Sequence, residues 1–194
     1  MSAAFYAYIF AIFATLPDAV SSTAILGGGA LRAFFDGSKV KDYDLFFRSK
    51  ADFDAALIEM QASEFFREEA GNHVLSPLFV HIETGKEFNL IGFGLGTPEE
   101  QIARFDFRCC AIAAWKDENR VVRYVAAEGA IHDASHLLLN FVNNNGTDRT
   151  VRRATHYAED YGYTVDGIGA TSPTFHTHVR TRVSRIPVST GGYP

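Results

Sequence analysis

A short apolar run that stops at three consecutive glycines constrains the fold of this chain more than any other feature. The run Ala24-Ile25-Leu26 is followed by Gly27-Gly28-Gly29. Glycines have no side chain to pack in a strand interior and favour turns, so the run predicts a buried strand that ends there. The next segment, from Ala30 to Phe35, is expected to form a short helix that Gly37 closes. The pattern therefore predicts a strand that turns sharply into a helix.

Such a turn is a candidate phosphate site. A strand that ends in glycines and enters a helix leaves backbone N–H groups free at the start of the helix, where phosphate groups bind without steric obstruction. We therefore expect Gly28 and Gly29 to contact the phosphates of a nucleotide. Arg32, one turn into the helix, can add a charge-assisted contact.

Two aspartates at the next predicted strand are candidate metal ligands. Asp42 and Asp44 lie two residues apart beside the aromatic strand 43–47, so they face the same side. Two carboxylates on one side suit Mg²⁺, which assists in-line transfer of phosphoryl or nucleotidyl groups. Each element alone has a plainer interpretation, because glycine runs are usually turns and Asp-x-Asp is often a solvated face. Their order along the chain favours a nucleotide site.

This order of motifs resembles the DNA polymerase β-like nucleotidyltransferase superfamily, whose signature is a Gly-Gly or Gly-Ser turn, a short helix and an Asp-x-Asp or Asp-x-Glu strand. The closer likeness is to the head domain of class II tRNA CCA-adding enzymes and bacterial poly(A) polymerases, where the turn reads Gly-Gly-x-Val-Arg-Asp. Here it reads Gly28-Gly29-Ala30-Leu31-Arg32-Ala33, so Ala33 replaces the aspartate. The whole chain also resembles short phage-encoded nucleotidyltransferases.

Two further stretches are similar to this family. Arg104-Phe105-Asp106-Phe107 resembles its Arg-Arg-Asp-Phe motif, and the resemblance implies that Asp106 contacts the ribose of a nucleotide. The stretch 153–158 resembles the helix at the start of the family's neck, which implies a nucleotide contact by Arg153. The family's base-reading Glu-Asp-x-x-Arg is not reproduced, so selection of C or A is not implied.

Polymerase β-type sites normally use a third carboxylate on a nearby strand. The matching position here is Asn89, which is neutral and binds Mg²⁺ more weakly than an acid. Glu87 faces the same side as Asn89 and can substitute for it. The candidate metal ligands are therefore Asp42, Asp44, Glu87 and Asn89.

Three functions stay open at this point. The first is a metal-dependent nucleotidyltransferase that moves a nucleoside monophosphate from an NTP to an acceptor hydroxyl, such as an RNA 3′ end. The second is a catalytically inactive nucleotide- or RNA-binding module of the same fold, for which Ala33 and Asn89 are the motives. The third is a structural protein that keeps the fold alone.

Charge and cysteine content limit the partners and the compartment. The net charge of −5 means that the molecule as a whole does not attract nucleic acid, so RNA contacts require local basic patches. The candidates are Arg149, Arg152 and Arg153, with the tail arginines Arg180, Arg182 and Arg185. The two cysteines, Cys109 and Cys110, are adjacent, which argues against a disulfide framework and favours a reducing, cytoplasmic compartment.

The predicted fold class is α+β: a nucleotidyltransferase-type mixed β-sheet flanked by helices, with neck-like helices near the C-terminus. We predict a head domain over 1–130, a neck-like helical segment over 131–166 and an extended basic tail over 167–194. The stretch 1–17 has no charged side chain, but it lacks a basic leader region and is shorter than a membrane span, so we predict a buried helix and no membrane contact. Residues 105–115 are predicted to be one strand, and Gly92-x-Gly94-x-Gly96 a turn.

Overall fold

The structure is a computed structural model that describes residues 2–70, 73–143 and 148–165. Its helices are α1 (Ala3–Phe13), α2 (Asp18–Thr23), α3 (Gly29–Asp36), α4 (Lys50–Ala62), α5 (Pro98–Ile102), α6 (Ala130–Ser135) and α7 (Asp148–Tyr161). Its strands are β1 (Ile25–Gly27), β2 (Tyr43–Phe46), β3 (Phe66–Glu68), β4 (Leu78–His81), β5 (Glu87–Ile91), β6 (Ile112–Lys116), β7 (Val122–Ala126), β8 (Leu138–Leu139) and β9 (Thr164–Val165). The predicted α+β class is confirmed.

Seven of these strands form one mixed sheet in the order β3-β4-β5-β2-β1-β6-β7. Neighbouring strands are antiparallel except β2 and β5, which run parallel. The parallel register places Asp44 opposite Asn89, while the antiparallel register of β1 and β2 places Gly27 opposite Asp44. The glycine turn, one of the aspartates and the asparagine therefore meet on three adjacent strands.

The N-terminal helix is buried, as the apolar periodicity predicts. The Ser2 side chain caps α1, and its inward face carries Phe5, Ile9 and Ile12. Phe10 lies on the side of the helix that points away from the core, and its side chain is 60% exposed. Among the described residues, no helix is long and apolar enough to cross a membrane.

The predicted strand over 105–115 is wrong in its first half. The chain forms a 3₁₀ turn at Arg108–Cys110, and β6 begins only at Ile112. Arg108 donates hydrogen bonds of 2.6 and 2.9 Å to the two carboxylate oxygens of Asp133, a fully buried residue in α6. This bidentate pair holds the turn against α6, and apolar spacing alone cannot distinguish a buried turn from a strand.

A second apolar cluster joins the C-terminal elements to the 3₁₀ turn that precedes β6. Phe107 and both cysteines pack with Ala134, Leu139, Ala154, Tyr157 and Tyr163. Helix α7 ends at Tyr161, and the next residue, Gly162, has a φ of 73° that favours glycine. Strands β8 and β9 pair in parallel. The segment boundaries at 130 and 166 stay predictions, and the tail 167–194 with Arg180, Arg182 and Arg185 lies outside the described residues.

Candidate active site

The glycine turn opens the first turn of α3 toward solvent. Gly28 is the N-cap of α3 with φ of 75°, a conformation that favours glycine. Its own N–H is used, because it donates to the Ile112 carbonyl at 3.2 Å. At Gly29 an added Cβ would meet nothing within 4 Å. The start of α3 at Gly29 is therefore accessible to a ligand, as a phosphate site requires.

Asn89 brings the two predicted metal-binding aspartates together. Its side-chain amide donates to Asp42 Oδ2 at 3.1 Å and to Asp44 Oδ1 at 3.1 Å. Asp44 and Asn89 are paired residues of β2 and β5, and Asp42 lies just before β2. The predicted common side of Asp42 and Asp44 is thus observed, with one amide bridging both carboxylates.

The two carboxylates repel each other in the metal-free protein. The pKa of Asp44 is raised to about 6, mainly by burial and also by the nearby charge of Asp42, while the hydrogen bond from Asn89 and the positive charges of Arg153 and Lys41 act in the opposite direction. A cation between the carboxylates would relieve both effects.

The donor set fits a hard cation, but with fewer acids than expected. Carboxylate and amide oxygens are ligands that Mg²⁺ accepts in proteins. Within the ranges that the structure describes, no three His, Cys, Asp or Glu side chains lie together as a metal cluster. Glu87, the predicted substitute ligand, is not in the wall of the cavity beside the aspartates. Asp42 and Asp44 would therefore hold Mg²⁺, and Asn89 would join them only if its amide turned to present its oxygen in place of the NH2 group that now donates to both carboxylates.

A cavity of about 800 Å³ connects this pair to the other predicted contacts. Its wall includes Gly29, Asp42, Asp44, Asn89, Asp106 and Arg153. Asp106 is buried and accepts an ion-pair contact of 2.5 Å from Arg153 on α7. The residues that motif likeness assigned to ribose and nucleotide binding thus lie in the same cavity as the acidic pair.

Basic residues of two segments line the same cavity. On α7, Arg149, Arg153 and His156 face it at helical spacing, whereas Arg152 is exposed and lies outside its wall. Lys39 and Lys41, in the segment between α3 and β2, also line it. Sequence reasoning did not select these lysines, although their position immediately before Asp42 was a usable signal.

Arg32 has a different environment from the one predicted. Its side chain is only 4% exposed and forms an ion pair with Asp36, whose side chain is 1% exposed. The guanidinium carbon lies 5.0, 4.5 and 5.5 Å from the ring centroids of Tyr157, Tyr161 and Tyr163. We call this group the Arg32 cage. The Tyr163 hydroxyl also donates to Asp36 at 2.7 Å. The guanidinium is thus already engaged by protein groups, and a phosphate contact by Arg32 stays a prediction.

The family follows from a match over most of the chain. Residues 2–136 match the family described as Gad2, Gabija anti-defense 2 family protein. The chain belongs to the Gabija anti-defense 2 family. No curated protein matches this family member significantly.

Solved structures similar to this Gabija anti-defense 2 family member are CCA-adding enzymes. A complex of a CCA-adding enzyme with ATP has a TM-score of 0.60 at 15% identity, covering 81% of this chain and 40% of the enzyme. The Bacillus stearothermophilus CCA-adding enzyme with CTP gives 0.58 at 18%, covering 86% and 42%. The Thermotoga maritima enzyme with tRNA gives 0.57 at 14%, covering 82% and 39%.

These likenesses confirm the predicted relationship at the level of the fold. At identities of 12–18% they establish the nucleotidyltransferase fold and not the chemistry. The family member spans about two fifths of the enzymes' length.

Proposed function

We propose that this Gabija anti-defense 2 family member binds an NTP with Mg²⁺ and transfers a nucleoside monophosphate to an acceptor hydroxyl. One observation carries the proposal: Asp42 and Asp44 both accept a hydrogen bond from the Asn89 amide, in the wall of a cavity that also contains the open start of α3. Paired carboxylates beside an accessible helix start are the minimum that Mg²⁺-assisted nucleotidyl transfer needs.

Each residue has a separate task in this proposal. Gly28 and Gly29 give the phosphates close approach to the backbone of α3. Asp42 and Asp44 hold the cation, and the Asn89 amide turns to offer its oxygen as a third ligand. Asp106 accepts a hydrogen bond from a ribose hydroxyl, and its ion pair with Arg153 fixes the position of the carboxylate. The bound Mg²⁺ supplies charge stabilisation for the displacement at the phosphorus atom.

The acceptor that we propose is an RNA 3′ end. The supporting observation is the row of Arg149, Arg153 and His156 on the cavity side of α7, which can neutralise backbone phosphates of a strand that enters the cavity. Structures of similar fold are described as complexes with ATP, CTP and tRNA. Arg152 and the tail arginines are further candidate contacts outside the cavity wall. We propose that this nucleotide chemistry serves the anti-defence role in the cytoplasm.

A second candidate function is nucleotide binding without transfer. It is favoured by the neutral Asn89 at the position of the third acid, and by the lack of a three-acid cluster among the residues that the structure describes. In that case the family member would sequester a nucleotide rather than consume it.

The decisive experiment combines transfer with binding. Purified protein is incubated with Mg²⁺, each α-labelled NTP and short RNA oligonucleotides, and incorporation of label into RNA is measured. We expect incorporation by the wild type, its loss in Asp42→Asn, and full activity in Asp54→Asn, whose half-exposed carboxylate forms an ion pair with Lys50 on the surface of α4.

Thermal stability with each NTP completes the design, because a bound ligand at a hundredfold excess over Kd adds about 2.7 kcal/mol. Stabilisation without incorporation selects the second candidate. Neither stabilisation nor incorporation refutes both.

A further inference from the structure

Phe93 is an exposed aromatic residue in the wall of the candidate active site. It lies in the segment between β5 and α5, its side chain is 55% exposed, and it lines the cavity that contains Asp42 and Asp44. Single exposed apolar residues are ordinary on outer protein surfaces. This ring, however, is exposed toward a cavity with polar and charged groups, so a ligand there would cover it.

The segment that carries Phe93 is fixed on both sides of the ring. On one side, a Cβ at Gly92 would come within 2.7 Å of the Phe53 ring, so the backbone lies directly on the core. On the other side, Gly94 has φ of 65°, and its carbonyl accepts hydrogen bonds from Gln101 at 2.7 Å and from the Arg104 guanidinium. The predicted turn at 92–96 is therefore anchored, and the ring is presented before any ligand binds.

The other apolar groups of the cavity wall, which include Val40 and Tyr161, are less exposed than Phe93. Ile91 is 7% exposed, and Phe46 and Phe105 contact each other edge to face at 5.7 Å. Phe105 also lies against Gly27, at 3.1 Å from the position of an added Cβ. Phe93 is thus the aromatic group of this wall with the largest free face.

The cavity combines this aromatic face with groups that suit phosphates. Lys39, Lys41 and Arg149 line it together with the open start of α3 at Gly29. A ligand that matches both parts carries phosphates and a flat, weakly polar ring. Nucleotides have both.

We propose that Phe93 is a stacking platform for a nucleobase. The base comes either from the NTP or from the last nucleotide of an acceptor strand. Stacking uses the face that all bases share, so the platform favours bases without distinguishing them. This proposal rests on the proposed function in one respect, namely that the cavity binds a nucleotide, and it does not require transfer.

The test compares two phenylalanines of equal exposure. Phe65 is 54% exposed and lies just before β3, outside this cavity, so Phe65→Ala is the matched control for Phe93→Ala. Affinities of the wild type and both variants are measured by calorimetry for the four NTPs, for inorganic tripolyphosphate and for a short single-stranded RNA. Phe93→Trp is included because it retains a stacking face.

We expect Phe93→Ala to weaken binding of a base-containing ligand by about 5- to 150-fold and to leave tripolyphosphate binding unchanged. Phe93→Trp and Phe65→Ala should bind as the wild type does. A loss confined to NTPs assigns the platform to the incoming nucleotide, and a loss confined to RNA assigns it to the acceptor.

Unchanged affinity of Phe93→Ala for both NTPs and RNA overturns the proposal and leaves the proposed function intact. An equal loss for tripolyphosphate also overturns it, because that ligand has no base. If the wild type binds neither NTPs nor RNA, both the platform and the proposed function are wrong.

Discussion

Replacing Asp44 by Asn should stabilise the metal-free protein. The substitution removes a charge that burial and Asp42 disfavour, while the new amide oxygen can still accept the hydrogen bond from Asn89. Raising the pKa from its ordinary 3.8 to about 6 corresponds to about 3 kcal/mol against the ionised form at neutral pH. This is an upper value, because the side chain is partly exposed and solvent screens its charge.

The pH dependence of stability is a second consequence of the raised pKa of Asp44. Between the ordinary pKa of 3.8 and about 6, the folded state binds a proton at Asp44 that the unfolded state has already lost. The wild type therefore loses stability as the pH rises through this window, and the Asn variant lacks this loss. The stabilisation by Asp44→Asn should be about 3 kcal/mol at a pH of about 7.5 and roughly half of that at about pH 5.

The assay is urea denaturation of the wild type and Asp44→Asn at these two pH values, with EDTA and with Mg²⁺. Mg²⁺ should stabilise the wild type and have little effect on the variant, because the variant has lost one charged ligand. Asp54→Asn is the control, since its exposed pair with Lys50 contributes under about 0.5 kcal/mol. A less stable metal-free Asp44→Asn, or an equal Mg²⁺ response in both proteins, would refute the reasoning.

Three further predictions concern the turn, the helix α7 and the Arg32 cage. Gly29→Ala should raise the free energy of unfolding by about 0.5–1 kcal/mol in urea denaturation, because Ala favours the helix and its Cβ meets no protein atom. The same substitution should weaken NTP binding measured by calorimetry, because the added Cβ blocks the approach of the phosphates. In anisotropy titrations with a labelled RNA, Arg149→Ala should lower the slope of log Kd against log salt concentration by about one unit, and Arg152→Ala should not change it. Equal effects of the two substitutions would contradict RNA binding in the cavity. Arg32→Met should lower the free energy of unfolding in urea by about 3–5 kcal/mol, because it removes the cation that pairs with the buried Asp36 carboxylate. Adding Asp36→Asn should recover part of that loss, and strictly additive effects of the two substitutions would contradict the ion pair.

Local patterns were sufficient for much of the fold and of the site. The glycine turn and the shared side of Asp42 and Asp44 depend on neighbouring residues, and the structure contains both of them. The functional roles of the site residues stay predictions.

The features that the sequence did not predict depend on contacts between residues far apart in the chain. Arg32 follows the glycine turn as a phosphate contact would, but its partner Tyr163 is 131 residues away along the chain. The 3₁₀ turn depends on an ion pair between Arg108 and Asp133, and neither residue lies in a recognisable motif with the other. The cavity-facing and outward-facing arginines of α7 could be separated only once the position of that helix was known.

The Arg32 cage couples the helix that follows the glycine turn mechanically to the helix α7. Arg32 belongs to the helix that starts at Gly29, and its aromatic partners Tyr157 and Tyr161 belong to the helix that carries Arg149 and Arg153. The family match ends at residue 136, before any of these tyrosines. A fragment cut there would expose a guanidinium and a carboxylate that the following residues enclose, so the segment that matches the family should require the following helix to fold stably. Conversely, a ligand that binds the arginines of α7 and displaces this helix should also move α3, because the Arg32 cage connects the two helices.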